Sequence, residues 1–375
     1  MLASVARHLG SPAATAAPTA TTESVEVTDD AGFALSISGP TPTLTPDEER
    51  AYALDGLVVP RAQLSPGATA ALQDLVERTL AVTCAADPPV EMPVAPHCPT
   101  NLYGGHGDPI PEEVASMWMA LARHPAILDR VEAILGADFI LWGAQLFHKP
   151  ARTGLEVPWH QGAPTLPALP PRRAPRRPAA QPDLGLAAAD GRYWPIHPPA
   201  SCSVWVSIDE ADEANGAMGW IPGSAQPRAL FEHNRDEDPT LALNQVLDFE
   251  ASGLEESKAA LNVLPAGGFS LHDVYLVHNS RPNLSDKRRA GFVMRYMPSS
   301  SLFDPTRLPA GVGGAVKNSN SANFERPIFL MRGSARENAG YPGLVDARGR
   351  APTVDEIVAG QAAARGSSAE PSGDS

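Results

Sequence analysis

Apolar residues recur at a helical spacing in the first third of the chain. Thr45 stands before Pro46 and three acidic residues, which predicts the start of a helix, and Gly56 predicts its end. The same spacing predicts further helices over residues 67–80, 112–124 and 126–135. We therefore expect a helical layer from the residues that precede 136.

Beyond residue 138 the pattern changes to short apolar runs separated by turn residues. The predicted strands cover residues 139–142, 144–147, 202–208, 217–221, 245–249, 269–272, 274–278 and 289–296. Asn215-Gly216 and Pro222-Gly223 are typical of turns between strands, and His272-Asp273 is also interpreted as a turn pair. Helices followed by many short strands predict a mainly β fold, a sandwich or barrel, with flanking helices on one face.

The two ends of the chain lack this periodicity. We expect residues 1–43 to be a disordered or targeting tail, residues 44–333 to form the folded domain, and residues 334–375 to be a loop-like tail. No acidic residue precedes Thr22, and Ser and Arg are present, as in transit peptides. A cytoplasmic location is expected, with an organelle such as the mitochondrion as the alternative.

A proline- and arginine-rich run interrupts the strand region at residues 162–189. It contains seven prolines, four arginines and one acidic residue within 28 residues, and it has too few apolar side chains to bury itself. We interpret it as a disordered insertion, and a translated non-coding segment would have the same composition. Without the run, Trp159-His160-Gln161 would continue directly into Asp190-Gly191-Arg192.

Composition excludes several classes of protein. The 375 residues are 43% hydrophobic and 19% charged, enough for one large core. A net charge of -14 argues against nucleic acid or an anionic membrane as a partner. The three cysteines have no paired spacing, and no apolar run approaches the roughly 20 residues of a membrane span.

Several histidines are candidates for a metal site of two histidines and one carboxylate, the set found in non-haem iron(II) oxygenases. His160 follows a short extended piece, His278 ends an apolar strand, and Arg289 comes eleven residues later inside the next strand. The literal His-x-Asp motif, His106-Gly107-Asp108, lies in a glycine-rich stretch and is predicted to be a turn. A zinc site at His97, Cys98 and His106 lacks a recognised spacing.

A set of short motifs in a fixed order then identifies a family resemblance. The motifs are Phe147-His148-Lys149-Pro150, Val157-Pro158-Trp159-His160-Gln161, Asp190-Gly191-Arg192-Tyr193-Trp194, Val204-Trp205-Val206-Ser207-Ile208-Asp209, Asn215-Gly216-Ala217-Met218, Ile221-Pro222-Gly223-Ser224 and His278-Asn279-Ser280 through Arg288-Arg289. In these motifs the chain resembles the phytanoyl-CoA dioxygenase family of Fe(II)/2-oxoglutarate oxygenases.

The resemblance implies a double-stranded β-helix core, which is a jelly-roll or cupin-like fold. It also implies Fe(II) as cofactor and 2-oxoglutarate as cosubstrate, with His160 and His278 as iron ligands. Arg289 would bind the far carboxylate of 2-oxoglutarate with help from Ser280, and Trp205 would line that pocket. The implied reaction uses O₂ to hydroxylate a small-molecule or acyl-CoA-type substrate and releases succinate and CO₂.

The carboxylate ligand is the point at which the chain departs from the family pattern. The family has Asp two residues after the first His, and this chain has Gly162 there. One interpretation makes Asp190 the ligand while the insertion bulges out, because the free energy of loop closure grows only logarithmically with length. A second is a related halogenase that uses His160-Gln161-Gly162, with halide in place of the carboxylate. A third is a catalytically impaired protein that binds 2-oxoglutarate.

Overall fold

The structure is a computed structural model that describes most of the chain. The described residues are 23–28, 34–39, 42–83, 111–162, 194–236, 238, 240–242, 245–305 and 326–366. Among them, no helix is long and apolar enough to cross a membrane.

Six helices and eighteen strands form the described part of the chain. The helices are α1 Pro46–Asp55, α2 Pro66–Thr83, α3 Glu112–Ala122, α4 Pro125–Leu135, α5 Phe249–Ser252 and α6 Val354–Gly366. The strands are β1 Glu23–Thr28, β2 Ala34–Gly39, β3 Leu57–Val58, β4 Gln63–Leu64, β5 Phe139–Lys149, β6 Val157–Gln161, β7 Ile196–His197, β8 Cys202–Ser207, β9 Met218–Trp220, β10 His233–Arg235, β11 Gln245–Leu247, β12 Ala260–Asn262, β13 Phe269–Asp273, β14 Val277–Ser280, β15 Arg289–Pro298, β16 Leu302–Phe303, β17 Ile328–Arg332 and β18 Leu344–Asp346.

Two sheets face each other and form a jelly roll. The larger has seven strands in the order β18-β17-β5-β15-β8-β13-β3, and the smaller has four in the order β12-β9-β14-β6. Every pair of neighbours in these two sheets is antiparallel, except β17 and β18, which are parallel. The prediction of a mainly β fold with helices on one face is thereby confirmed.

Strand β15 shows how the sequence separates the two faces of the large sheet. Phe292 and Met294 point outward into the main apolar core, which includes residues of α2, α3 and α4. The alternate residues, Arg289, Gly291 and Arg295, therefore point towards the small sheet, because side chains alternate along a strand. The outer face is apolar and packed by helices, whereas the inner face carries charged and polar groups.

The helices form where the capping residues predict them. The Thr45 side chain accepts a hydrogen bond from the Glu48 backbone N–H, and the Glu48 side chain accepts one from the Thr45 backbone N–H in return. Gly56 ends α1 at a φ of 84°, in the left-handed region that glycine adopts most readily. On the outer face of the sheet, Trp118 of α3 stacks on Phe292 with ring centroids 4.2 Å apart.

Both chain ends contain more structure than expected. Strands β1 and β2 lie within residues 1–43, and Leu35 and Ile37 of β2 are buried in the main core. Strand β18 and helix α6 lie within residues 334–375, and α6 places Ile357 in the same core. The expected disordered and loop-like tails were wrong for these segments, because a few apolar side chains suffice to dock them. Residues 1–22 lie outside the described residues.

Two local predictions were also wrong. His272 and Asp273 are not a turn pair but the last two residues of β13, and both are buried. They extend the strand because both continue the antiparallel register, opposite Ser203 and Cys202 of β8. The predicted strand over residues 245–249 ends at Leu247, because the Asp248 side chain accepts a hydrogen bond from the Ala251 N–H and begins α5.

The helix-facing core predicts a large loss of stability when Phe292 is truncated. Phe292 has no exposed surface, so we expect Phe292→Ala to lower the free energy of unfolding by about 3–5 kcal/mol, since the cavity cannot close completely. Leu284→Ala is the control, because Leu284 is 76% exposed and its loss should change stability by less than about 0.5 kcal/mol. Urea denaturation measures both, and equal effects would contradict this packing.

Two inward-facing glycines provide a second, matched test. A Cβ on Gly291 would lie 2.0 Å from Trp205 Cζ2, whereas a Cβ on Gly143 would meet no heavy atom nearer than 3.6 Å. Gly291→Ala must therefore displace the Trp205 ring, and we expect it to cost about 1–3 kcal/mol of stability. Gly143→Ala should change stability by less than about 1 kcal/mol. Near-ultraviolet circular dichroism should report the ring displacement only in Gly291→Ala.

Candidate active site

Two histidines face each other across neighbouring strands of the small sheet. His160 of β6 is the direct register partner of His278 of β14. Their ring centroids are 4.2 Å apart, so one ion could contact both rings. His160 is 7% exposed, and His278 is partly accessible from the space between the sheets. The pairing of two distant segments thus brings together the two candidate metal ligands.

Backbone carbonyls fix the tautomer of both rings. His160 Nδ1 lies 2.8 Å from the Pro158 carbonyl oxygen, and His278 Nδ1 lies 3.0 Å from that of Leu276. A carbonyl oxygen only accepts hydrogen bonds, so each Nδ1 carries the proton and each Nε2 keeps a lone pair. This is the arrangement of histidines that bind metals through Nε2.

Burial keeps both rings neutral. It lowers the pKa of His278 to about 4. The pKa of His160 falls well below its usual value, first because the ring is buried and then because His278 is close. Neutral imidazole is the form that binds a metal ion, and the two rings hold that form at neutral pH without a metal present.

Arg289 places a buried positive charge at one end of the space between the two sheets. Its guanidinium donates through Nη2 to the Gly216 carbonyl and to Ser280 Oγ, both at 2.5 Å, while its buried Nε has no hydrogen-bond partner. Gly216 adopts a φ of 82°, which belongs to the Asn215-Gly216 turn. The unpaired Nε and the charge make this end suitable for the carboxylate of a ligand.

Trp205 and Lys149 border the Arg289 end of the space. The Arg289 guanidinium carbon lies 5.2 Å from the centroid of the Trp205 ring, and the ring packs against Gly291. Lys149 is 1% exposed and donates to the carbonyls of Ser280 and Arg281. The structure thus places Ser280, Arg289 and Trp205, which the sequence singled out, around one point.

The sequence did not single out four further polar residues near the histidine pair. His272 of β13 lies with its ring centroid 5.4 Å from that of His278, and its buried Nδ1 has no hydrogen-bond partner. His233 of β10 is buried and close enough to lower the pKa of His160. Gln145 and Arg295 lie on neighbouring strands of the large sheet and are hydrogen-bonded. Because side chains alternate along a strand, the inward position of Arg289 on β15 could have identified Arg295 as inward-facing. The same alternation along β13 could have identified His272.

The third ligand of a two-histidine, one-carboxylate site does not come from the described residues. Among them, no group of three His, Cys, Asp or Glu side chains is arranged to hold a metal ion. Asp190, with the rest of residues 163–193, lies outside the described residues, as do His97, Cys98, His106 and Asp108.

Gly162 itself is poorly suited to carry a carboxylate. It has a φ of 29°, and an added Cβ would lie 3.0 Å from Val274 Cγ2 and 3.2 Å from the Val274 carbonyl oxygen. The two flanks of residues 163–193 nevertheless meet, because the same Cβ would be 3.5 Å from Trp194 Cζ2. Gly162 and Trp194, the described residues on either side of that stretch, therefore lie close together, two positions along the chain from His160 on the Gly162 side.

Comparisons with known proteins agree with this fold. A "Probable alpha-ketoglutarate-dependent hypophosphite dioxygenase" from Stutzerimonas stutzeri is 24% identical over 177 residues, which are 47% of this chain and 51% of that protein. The chain thus matches about half the length of this curated relative. The solved structure of ThoJ, a non-heme monooxygenase in its apo form, is 20% identical with a TM-score of 0.53, covering 85% of this chain and 96% of that one.

A structure of CytC3 with Fe(II) and alpha-ketoglutarate is 19% identical with a TM-score of 0.44, covering 80% of this chain and 91% of that one. The family model for phytanoyl-CoA dioxygenase matches residues 52–291, which include the histidine pair and Arg289. The chain belongs to the phytanoyl-CoA dioxygenase family.

Proposed function

We propose that the protein is an Fe(II)/2-oxoglutarate-dependent dioxygenase that hydroxylates a small-molecule substrate with O₂. The observation that carries the proposal is the register of β6 with β14, which sets two neutral histidines side by side with their Nε2 lone pairs available. The buried cation of Arg289 on the facing sheet adds the carboxylate site that the cosubstrate needs. The family model spans both features.

The donor set fits iron and 2-oxoglutarate. His160 and His278 would hold Fe(II) through Nε2, and Arg289 would bind the far carboxylate of 2-oxoglutarate with Ser280. Bound together, iron and 2-oxoglutarate couple the use of O₂ to release of succinate and CO₂ and to hydroxylation of a C–H bond. The protein supplies position and excludes water, which is the general role of a protein around a reactive cofactor.

Each described residue has a definable task in this proposal. The Pro158 and Leu276 carbonyls hold the imidazole protons on Nδ1 and aim Nε2 at the metal. The Gly216 carbonyl and Ser280 hydroxyl fix one edge of the Arg289 guanidinium, so that Nε and the rest of the fork meet the carboxylate without reorganisation. The Trp205 ring covers the same guanidinium and keeps water from it.

Asp190 is the proposed third ligand. Trp194 lies beside Gly162, and the four residues from Trp194 back to Asp190 can span roughly 13–14 Å when extended. That reach is sufficient for the Asp190 carboxylate to return to the histidine pair. The alternatives are a halogenase in which halide binds beside His160-Gln161-Gly162, and an impaired protein that binds 2-oxoglutarate without turnover.

Removal of either candidate ligand gives the first test. We expect His160→Ala and His278→Ala to lose stoichiometric Fe(II) binding and substrate-dependent succinate formation, because one imidazole cannot hold the ion. His148→Ala is the matched control, since His148 lies on β5 beside the outer charges of Asp209 and Arg288. Anaerobic iron titration and succinate analysis measure the two properties. Wild-type iron affinity in either ligand variant would refute the proposed site.

The insertion gives the second test, in which the full chain is compared with a chain that lacks residues 162–189. Removal joins Gln161 to Asp190 and restores His-x-Asp, so 2-oxoglutarate turnover should equal or exceed that of the full chain. Asp190→Ala should then abolish turnover in both chains if Asp190 binds the metal. Iron affinity that rises with chloride in the full chain, and is insensitive to Asp190→Ala, would instead support the halogenase. Turnover in the shortened chain alone would identify an impaired full-length protein.

A further inference from the structure

Arg295 is a second inward-facing cation, half-buried, that the proposed metal and cosubstrate sites do not use. It lies on the inner face of β15, opposite Gly143 of β5 and Ser203 of β8. Its one hydrogen bond is donated from Nη2 to Gln145 Oε1 at 3.2 Å. The side chain is only partly buried.

No carboxylate neutralises Arg295 in the described part of the chain. Burial lowers its pKa to about 10, and no acidic side chain raises that pKa again. By contrast, Arg288, which directly precedes Arg289 and lies on the outer face, pairs with Asp209 and Glu77. At neutral pH Arg295 is therefore a charged group in an enclosed space, and such a group is costly unless an anion accompanies it.

The described surroundings of Arg295 are aromatic, polar or positively charged, which favours the binding of an anion. The guanidinium carbon lies 5.6 Å from the centroid of the Trp194 ring, which provides a flat wall. Gly143 presents no side chain on the opposite strand, and the nearest atom to its missing Cβ is Arg326 Nη1 at 3.6 Å. Arg326 is buried as well and adds positive potential at Arg295, because the two charges repel each other.

Arg295 lies away from Arg289 but close to the histidine pair. The two arginines are six positions apart on β15, which corresponds to roughly 20 Å along a strand. Arg295 lies in the row that continues through Ser203 to His272 of β13, and His272 lies beside His278. The charge of Arg295 also reaches both candidate ligands, since it contributes to the lowered pKa of His160 and of His278.

We propose that Arg295, with Gln145 and the Trp194 ring, is a subsite for an oxyanion carried by the substrate, a carboxylate or a phosphonate. The inference rests on the proposed function, because it takes Arg289 as the site of the cosubstrate. The guanidinium donates a fork of hydrogen bonds to two oxygens of the anion, and this orients the rest of the substrate towards the histidine pair. The substrate class is thereby narrowed to small molecules with an anionic end.

The test measures anion binding by the full chain, separately from turnover. The protein is loaded with Fe(II) and excess 2-oxoglutarate under argon and titrated calorimetrically with acetate, methylphosphonate and, as the uncharged counterpart, acetamide. We expect one site for each anion and none for acetamide. Arg295→Gln should weaken anion binding about 10- to 100-fold, the range for lost hydrogen bonds to a charged group, and change 2-oxoglutarate affinity by less than about twofold.

Three comparison variants separate this subsite from other uses of Arg295. Arg289→Gln should show the opposite pattern, with 2-oxoglutarate affinity lost and anion affinity kept, and Arg295→Lys should retain part of the anion affinity through its charge. Asp190→Ala should leave anion binding in place; if it instead strengthens the binding more than tenfold, Asp190 occupies the subsite and the proposal is wrong.

Three further results would overturn the subsite. The first is an unchanged anion affinity in Arg295→Gln. The second is a loss of 2-oxoglutarate affinity in Arg295→Gln that is as severe as in Arg289→Gln. The third is that the wild type binds neither anion. Thermal unfolding of Arg295→Gln and Arg295→Lys checks that both variants are folded. A wild type that binds neither iron nor 2-oxoglutarate would refute the proposed function instead, and titration of the metal-free protein would still test Arg295.

Discussion

The site depends on the register between β6 and β14. A slip of one residue would turn His160 away from the inner space, because successive side chains of a strand point to opposite faces. The register is secured beside the histidine. The Gln161 amide donates to the carbonyls of Ala229 and Tyr275, and its oxygen accepts the Phe231 N–H. Three backbone groups from two other segments thus hold the end of β6, and the fixed strand end orients the imidazole of His160, which precedes Gln161.

The two faces of the large sheet carry opposite kinds of chemistry. Outward residues such as Phe292 and Leu271 join a continuous apolar core with the helices and supply most of the stabilisation by burial. Inward residues include the cations Lys149, Arg289 and Arg295, which are costly to bury without anions. The stabilisation from burying the apolar outer face offsets the free energy that it costs to bury charged groups on the inner face. The inner charges in turn favour any anionic ligand that enters, so ligand binding and stability are coupled.

The sequence predicted the fold class and much of the site, but not the tails or the inner lining. Capping at Thr45 and the change from helical to strand spacing after residue 138 were sufficient for the first four helices and for β5, β8, β13 and β15 of the large sheet, because both signals are local. The motifs also singled out the residues that gather at the Arg289 end. His272 was misread as a turn residue because its register partner, Ser203, is distant in sequence. The docking of β2 and α6 likewise depends on tertiary contacts that no local pattern encodes.

The insertion at residues 162–189 is compatible with this fold for a physical reason. Gly162 and Trp194 lie side by side, so the segment between them begins and ends at one place and need not disturb the sheet. Trp194 is buried with Trp142, and its ring also lies near the Arg295 guanidinium, which anchors the returning chain independently of the segment itself. What the insertion changes is the link between His160 and Asp190. A His-x-Asp pair, two positions apart on one strand, would fix both ligands together, whereas 29 residues separate His160 from Asp190 in this chain. If Asp190 is the third ligand, as proposed, the longer connection constrains its carboxylate less, and we expect weaker iron binding than a His-x-Asp pair would give.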